Sequence, residues 1–137
     1  MKLLDTSVVV DIDRGGVDRR VAKLDDEGRH GISAVTATEL RLGVNKRYDH
    51  DDPAYDRAIW DLDRLLARFE LFEVARPVAT VAADVIADLQ ARGKRLDDLH
   101  DVYIGATART EQVPVLTANV DHFERMDGVQ VVDWETY

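Results

Sequence analysis

The stretch LDDLHDVYIGATA, residues 96–108, joins an acidic segment directly to a helix of small residues. Asp98 precedes the apolar run and suits an N-cap, because its carboxylate can accept a backbone N–H of the first turn. Asp101 follows three residues later, so the two carboxylates lie on one face of the predicted helix. The glycine and alanines that come next give this helix a thin flank. We therefore predict a capped helix that begins at two acids and that other elements approach closely.

Short strands and helices alternate along the rest of the chain. Apolar runs predict strands at residues 2–4, 31–34, 70–74, 113–116 and 129–132. Helical spacing of apolar residues predicts helices near residues 8–13, 17–24, 36–44, 59–69, 77–89 and 99–111, with a helical turn at 122–123. This alternation is typical of an α/β fold. We predict one domain over residues 1–137, a three-layer sandwich in which helices flank a central, mostly parallel sheet of four to five strands.

The composition excludes several classes of protein. The chain has no cysteine, so disulfides and thiolate metal sites are excluded, and a bound metal would have oxygen or histidine ligands. No run is long and apolar enough to span a bilayer, and the first residues lack the pattern of a signal peptide. We therefore expect a cytoplasmic protein.

The net charge of −9 is unfavourable for binding a polyanion. Metal ions and a few local arginines can nevertheless reverse the field at one site, so the net charge alone does not exclude nucleic acid. Lysine is scarce and aspartate abundant, and the self-repulsion of such a surface predicts that low salt destabilises the folded chain.

Carboxylates and polar side chains follow predicted strands or begin predicted helices. Asp5 ends the first strand, and Thr117 and Asn119 follow the fourth strand. Glu39 and Asp101 are expected in the first turns of two helices, which begin at the same edge of the sheet. In parallel sheets, ligands bind at the carboxyl ends of the strands, near a topological switch point. The sequence thus predicts that four distant segments form one acidic crevice.

Carboxylates that share a crevice repel one another unless a proton or a cation neutralises them. Mg²⁺ binds oxygen ligands and typically uses one or two carboxylates together with waters and substrate phosphate. Such an ion can activate water and stabilise the oxygens of a phosphodiester. The residues alone therefore favour metal-dependent phosphoryl chemistry.

Four short motifs, in order along the chain, resemble those of PIN-domain nucleases, and most closely those of VapC-like toxins. They are LLDTS at 3–7, TATELRLG at 36–43, DVYIGATA at 101–108, and TAN at 117–119 followed by HF at 122–123. The resemblance covers essentially the whole chain and implies a PIN-like fold. It also implies an endoribonuclease that depends on Mg²⁺ or Mn²⁺, forms a homodimer and is inhibited by a cognate antitoxin protein of a type II toxin–antitoxin pair.

The resemblance assigns roles by position. Asp5, Glu39 and Asp101 match the three core acids, which are both catalytic residues and metal ligands. Asn119 stands at the fourth catalytic position, and Asp121 is an alternative metal ligand two residues later. Either of these two residues would complete the site.

Further residues are expected to support this site. Ligands and water are expected to be oriented by Thr6, Ser7, Asp98 and Thr117. RNA phosphates beside the cleft are expected to be bound by Arg41, Arg47, Lys94 and Arg95. His100 and His122 are expected to be structural or exposed, because a hard metal ion does not require them.

Two other functions remain compatible with the residues. One is a PIN-like domain that has lost catalysis and binds only RNA or protein, although the three retained acids argue against it. The other is a receiver-like phosphoacceptor domain, which also has an acidic pocket in a small α/β fold. That class fits poorly, because the chain lacks paired acids after the first strand and a lysine after the last strands.

Overall fold

The computed structural model describes residues 1–95 and 98–137. Leu96 and Asp97, the first two residues of the stretch quoted above, lie outside the described residues.

The sheet is fully parallel. Its strands are β1 (Leu3–Leu4), β2 (Gly31–Ser33), β3 (Glu70–Phe72), β4 (Val115–Thr117) and β5 (Val131–Asp133). Their order in the sheet is β3-β2-β1-β4-β5, and every neighbouring pair is parallel. The predicted α/β fold with a central parallel sheet is therefore confirmed. Because β2 and β4 lie on opposite sides of β1, the topological switch point falls at the ends of β1 and β4.

Helices connect the strands and cover both faces of the sheet. They are α1 (Thr6–Arg14), α2 (Asp18–Asp26), α3 (Ala34–Arg47), α4 (Pro53–Leu66), α5 (Arg76–Ala91), α6 (Leu99–Glu111) and α7 (Val120–Glu124). Within residues 1–95 and 98–137, no helix combines the length and the apolar character needed to cross a membrane.

Helices α1, α3 and α4 begin two to six residues earlier than the sequence pattern predicts. The helix predicted near 59–69 is α4, which starts at Pro53 because the Asp52 carboxylate accepts the N–H of Ala54, and which ends at Leu66.

In α1 and α3 the end of a strand provides the cap. The Asp5 carboxylate accepts the backbone N–H of Thr6, so α1 starts at Thr6 and not near residue 8. The Ser33 hydroxyl accepts the N–H of Val35, so α3 starts at Ala34 and not near residue 36. Both strands thus run into their helices without an intervening loop. As a consequence Glu39 lies in the second turn of α3, and the prediction of the first turn is wrong.

The two faces of β1 divide the apolar core into two clusters. Successive residues of a strand point to opposite faces, and Leu3 and Leu4 are both fully buried. Leu3 packs in the cluster that includes Val85 of α5, whereas Leu4 packs with Val9 of α1. With both faces covered, the edge at the carboxyl ends of the strands remains available for polar chemistry.

Gly31→Ala is expected to lower the free energy of unfolding by about 1–3 kcal/mol, as overpacking does. A Cβ at Gly31 would lie 2.4 Å from Cε2 of Phe72, whose ring packs against the core and would have to move. Urea denaturation measures the loss.

The control is Gly43→Ala in α3, where nothing lies within 4 Å of the added Cβ. It should gain up to about 1 kcal/mol from helix propensity. A Gly31→Ala variant with wild-type stability would contradict this account of the β2–β3 contact.

Candidate active site

A crevice of about 310 Å³ opens at the switch point, and we call it the acidic crevice. It is lined by Asp5, Thr6, Ser7, Val10, Asp11, Arg14, Glu39, Asp98, Asp101, Asn119 and His122. These residues come from the N-terminal half of the chain and from its last third, as the sequence predicts. The structure thus brings the three core acids into one cavity.

A second cavity of similar volume, about 320 Å³, lies between α3 and α4. Its walls include Leu40, Val44, Leu62 and Leu65, together with Arg47. The predicted core acids do not line it. The concentration of carboxylates, and not the size of the cavity, therefore marks the acidic crevice as the candidate site.

Asp5 is the most firmly held acid of the crevice. Only 3% of its surface is exposed. Its Oδ1 accepts the N–H of Thr6 at 2.8 Å, and its Oδ2 accepts the hydroxyls of Ser7 and Thr117, each at 2.8 Å. A buried carboxylate is tolerated only when it is well bonded. Three donors from α1 and β4 therefore fix the position of Asp5.

The hydroxyls around Asp5 are themselves fixed by the backbone. Thr117 Oγ1 accepts the N–H of Asn119 at 2.9 Å, and Ser7 Oγ accepts the N–H of Ala118 at 3.2 Å. Each hydroxyl has one proton, so accepting a backbone N–H leaves that proton for Asp5. The segment after β4 thereby orients the donors that hold the carboxylate.

Glu39 reaches the crevice from the second turn of α3. Its Oε1 lies 2.9 Å from Thr6 Oγ1, which in turn lies 3.0 Å from Thr36 Oγ1. Because an ionised carboxylate only accepts hydrogen bonds, the Thr6 hydroxyl donates to Glu39. Thr6 therefore links the start of α1 to the acid of α3.

Asp101 reaches the crevice from the first turn of α6, as predicted. Asp98 is the N-cap of α6 and accepts the N–H of His100 at 2.8 Å. Asp101 is 8% exposed, and its Oδ2 lies 2.7 Å from Nδ1 of His122. When this carboxylate is ionised, Nδ1 carries the hydrogen of that bond. His122 therefore orients Asp101, so it is more than an exposed histidine.

The electrostatics of the crevice oppose full ionisation of its acids. Burial raises the pKa of the Asp101 carboxyl, and the charges of Asp5 and Asp98 raise it further, against the hydrogen bond from His122. Burial likewise raises the pKa of Glu39, which the hydrogen bond from Thr6 partly offsets. These carboxylates are arranged to receive a positive charge that the side chains themselves do not supply.

A model of the PIN domain family matches residues 2–129. The chain belongs to the PIN-domain family. The resemblance predicted from the four short motifs is thereby confirmed.

Known proteins share both sequence and fold with this PIN domain. Ribonuclease VapC of Rickettsia bellii is 25% identical over 130 residues, which cover 95% of this chain and 93% of that protein. The structure of VapBC-1 from nontypeable Haemophilus influenzae has the same fold, with a TM-score of 0.84, 19% identity and 98% of each chain covered. VapBC-5 of Mycobacterium tuberculosis, described as a member of a family of toxin–antitoxin systems, has a TM-score of 0.69 and 25% identity over 96% of this chain and 97% of that one.

The two candidates for the fourth position of this PIN domain lie in different places. Asn119 lines the acidic crevice as the N-cap residue of α7. Asp121 lines a neighbouring cavity, which shares Asp98, Asp101 and His122 with the acidic crevice. Both candidates are exposed. Both candidates therefore lie next to Asp101, one in each cavity.

None of the four cations expected to bind RNA lines the acidic crevice. Arg41 donates to the hydroxyl of the buried Tyr55 at 3.2 Å, and Arg47 lies over the ring of Tyr48 and lines the cavity between α3 and α4. Lys94 and Arg95 lie outside the crevice wall, in the segment between α5 and α6. The arginine that does line the crevice is Arg14, in the last turn of α1.

His122 is part of the sequence motif but its bond to Asp101 is not predicted, and Arg14 is not predicted as a site residue at all. His122 follows Asn119 by three residues, so helical spacing could have placed it beside the site. Arg14 stands seven residues after Ser7, also a helical spacing, but α1 was predicted to end before it. Arg14 can be placed on the same helix face as Ser7 only when α1 is known to start at Thr6 and to end at Arg14.

The carboxylate oxygens of the crevice fit a hard divalent ion that takes few of its ligands from the protein. Among the described residues, no group of three or more acids and histidines is arranged to enclose a metal ion by itself. Mg²⁺ does not need such a cage, because it keeps several waters and binds through one or two carboxylates. The oxygen-rich wall, the raised pKa values and the absence of cysteine all suit that kind of ion.

Asp101→Asn is expected to raise the melting temperature of the metal-free protein at about pH 7, because it removes a buried charge that faces Asp5 and Asp98. The sign follows from the raised pKa of Asp101. Its ionisation costs more in the folded chain than in the unfolded chain, so stability is lost as the pH rises from the ordinary pKa through the raised one. The gain should therefore shrink toward about pH 4.

Thermal denaturation in EDTA, followed by circular dichroism, measures this gain. The matched control is Asp121→Asn, which removes an exposed carboxylate next to the same crevice and should shift the melting temperature little. A lower melting temperature for Asp101→Asn than for wild type at about pH 7 would contradict the account of the crevice electrostatics.

Proposed function

We propose that this PIN domain is a metal-dependent endoribonuclease that cleaves RNA phosphodiester bonds as the toxin of a toxin–antitoxin pair. The observation that carries the proposal is the convergence of Asp5, Glu39 and Asp101 in one crevice of a PIN-domain chain. Relatives named ribonuclease VapC and fold neighbours from VapBC systems support it.

Asp5 and Asp101 are proposed as the principal ligands of one Mg²⁺ or Mn²⁺ ion, with Glu39 binding directly or through water. When bound, the ion supplies Lewis acidity and positive charge at the scissile phosphate. The side chains of this chain do not need to supply a nucleophile. Their task is to hold acceptor oxygens in fixed positions.

The hydroxyls and the imidazole are proposed to preorganise those acceptors. Ser7 and Thr117 hold Asp5, Thr6 holds Glu39, and His122 holds Asp101. Such outer partners typically contribute about 10–100-fold to metal affinity or activity. Asn119 lines the same crevice and is proposed to orient water or substrate through its amide.

The partners of this chain are proposed from the same comparisons. A ribonuclease needs an RNA substrate, and VapBC relatives are toxin–antitoxin systems, so a cognate antitoxin protein is proposed to bind this chain. We further propose a homodimer and a cytoplasmic location. The family match leaves no support for a receiver-like phosphoacceptor domain.

Labelled single-stranded RNA is expected to be cut by the purified chain in Mg²⁺ or Mn²⁺, and not in EDTA. Asp5→Asn and Asp101→Asn should each reduce the rate by more than the roughly 10–100-fold that loss of an outer partner costs. Both substitutions keep the shape of the side chain, so circular dichroism should show an unchanged fold. Gel electrophoresis of the products measures the rates.

Asp121→Asn is the matched control, because it removes a carboxylate close to the crevice but outside its wall. It should retain most of the activity if Asn119 completes the site. Cleavage that continues in EDTA or in Asp101→Asn would refute the proposed mechanism. A folded chain that binds RNA but never cuts it would favour the catalytically silent domain.

A further inference from the structure

One face of α1 forms a wall of the acidic crevice. Ser7, Val10, Asp11 and Arg14 all line the cavity, and their spacing of three, four and seven residues places them on one side of the helix. Ser7 bonds to the carboxylate of Asp5 at one end of this face. Arg14 lies at the other end, roughly 10 Å away at the ordinary rise of an α-helix. The wall therefore runs from the core acids to a cation.

The guanidinium of Arg14 has no partner within the described part of the chain. Arg14 is exposed, and it forms no hydrogen bond, ion pair or ring contact with any described residue. Asp11 could pair with it by helical spacing. Instead, the Oδ2 of Asp11 accepts the indole N–H of the buried Trp134 at 3.0 Å.

Arg125, the other arginine near the site, is engaged differently. Its Nε donates to the carbonyl of His122 at 3.2 Å, and its Nη1 donates to the carbonyl of Arg95. These bonds tie α7 to the segment before α6. Arg14 is thus the arginine of the crevice wall, and its guanidinium has no bond to a described residue.

A cation in this wall matters for binding a polyanion, because the rest of the crevice is acidic. Its described lining includes five carboxylates, those of Asp5, Asp11, Glu39, Asp98 and Asp101, and a single arginine. The carboxylates of this wall repel a polyanion, whereas a bound metal ion and Arg14 attract it. Phosphate contacts from arginine fix the position and register of a nucleic acid strand.

We infer that Arg14 binds a phosphate of the RNA strand other than the one that is cleaved, so that the strand lies along the exposed face of α1. The inference rests on the proposed function. Val10, half-buried between the two ends, offers apolar surface to a ribose or base. Because phosphate contacts carry no sequence information, Arg14 contributes to affinity for every RNA sequence and not to the choice of cut site.

A purely structural role for Arg14 has a different signature. A cation in the last turn of a helix stabilises it through the helix dipole. In that case Arg14→Gln would lower the melting temperature and leave RNA binding unchanged. Affinity and its salt dependence therefore distinguish the two roles.

The test measures RNA binding in the Asp101→Asn background, in which cleavage is expected to be too slow to interfere. The fluorescence anisotropy of a short labelled single-stranded RNA is followed in Mg²⁺ over a range of KCl concentrations. Arg14→Gln should weaken binding about tenfold at low salt and reduce the slope of log affinity against log salt by about one. Arg14→Lys, which keeps the charge, should keep most of that slope.

Arg76→Gln is the matched control, because it removes the same charge at the start of α5, outside the crevice wall. It should change neither the affinity nor the slope. If Arg14→Gln binds RNA as Arg76→Gln does while the wild-type chain cuts RNA, the inference about Arg14 is wrong and the proposed function stands. If the wild-type chain neither binds nor cuts RNA, the proposed function fails and the inference fails with it.

Discussion

The hydrogen bonds to the Asp5 carboxylate are the interaction on which the site depends. They join the end of β1, the first turn of α1 and the end of β4 at one buried oxygen pair. Because the strands of a parallel sheet end at a common edge, α3 and α6 bring Glu39 and Asp101 to the same edge. Thr6, the residue after Asp5, bonds to Glu39, and His122 bonds to Asp101. The chain therefore fixes one acid firmly and positions the others around it.

The buried acids of the crevice lower the stability of the metal-free folded chain, and the same acids are suited to binding a cation. Burial and mutual repulsion raise the pKa values of Glu39 and Asp101, so their ionised forms are costly until a cation arrives. The cost is limited by hydrogen bonds from Thr6 and His122, which hold each carboxylate without neutralising it. Functional sites commonly keep such unfavourable groups because the rest of the fold is stable enough to tolerate them.

The sequence was sufficient to predict the fold and the convergence of the three acids in one crevice, for physical reasons. Buried parallel strands leave apolar runs, and covered helices leave helical spacing, so the pattern predicts the strands and most helices to within three residues of their observed bounds. The exception is α4, whose first turns lie in the polar segment after Asp52, where apolar spacing gives no signal. Asp5 and Asp101 are local features of strand and helix ends, and the topology brings them together. Helix starts were less predictable, because the caps Asp5 and Ser33 belong to strands and not to loops.

The contacts that cross the fold could not be predicted from one sequence. The sequence does not show that His122 bonds to Asp101. Nor does it show that the Trp134 indole donates to Asp11 or that Arg41 donates to the Tyr55 hydroxyl. These contacts show which charged groups of the crevice wall already have partners, and they add Arg14 to the residues proposed to contact RNA. The most direct measurement is anomalous diffraction at the manganese absorption edge, on crystals of this chain soaked in Mn²⁺. A manganese peak is expected in the acidic crevice, against Asp5 and Asp101, and it should disappear in Asp5→Asn. A crevice without manganese, or a peak that persists unchanged in that variant, would contradict this expectation.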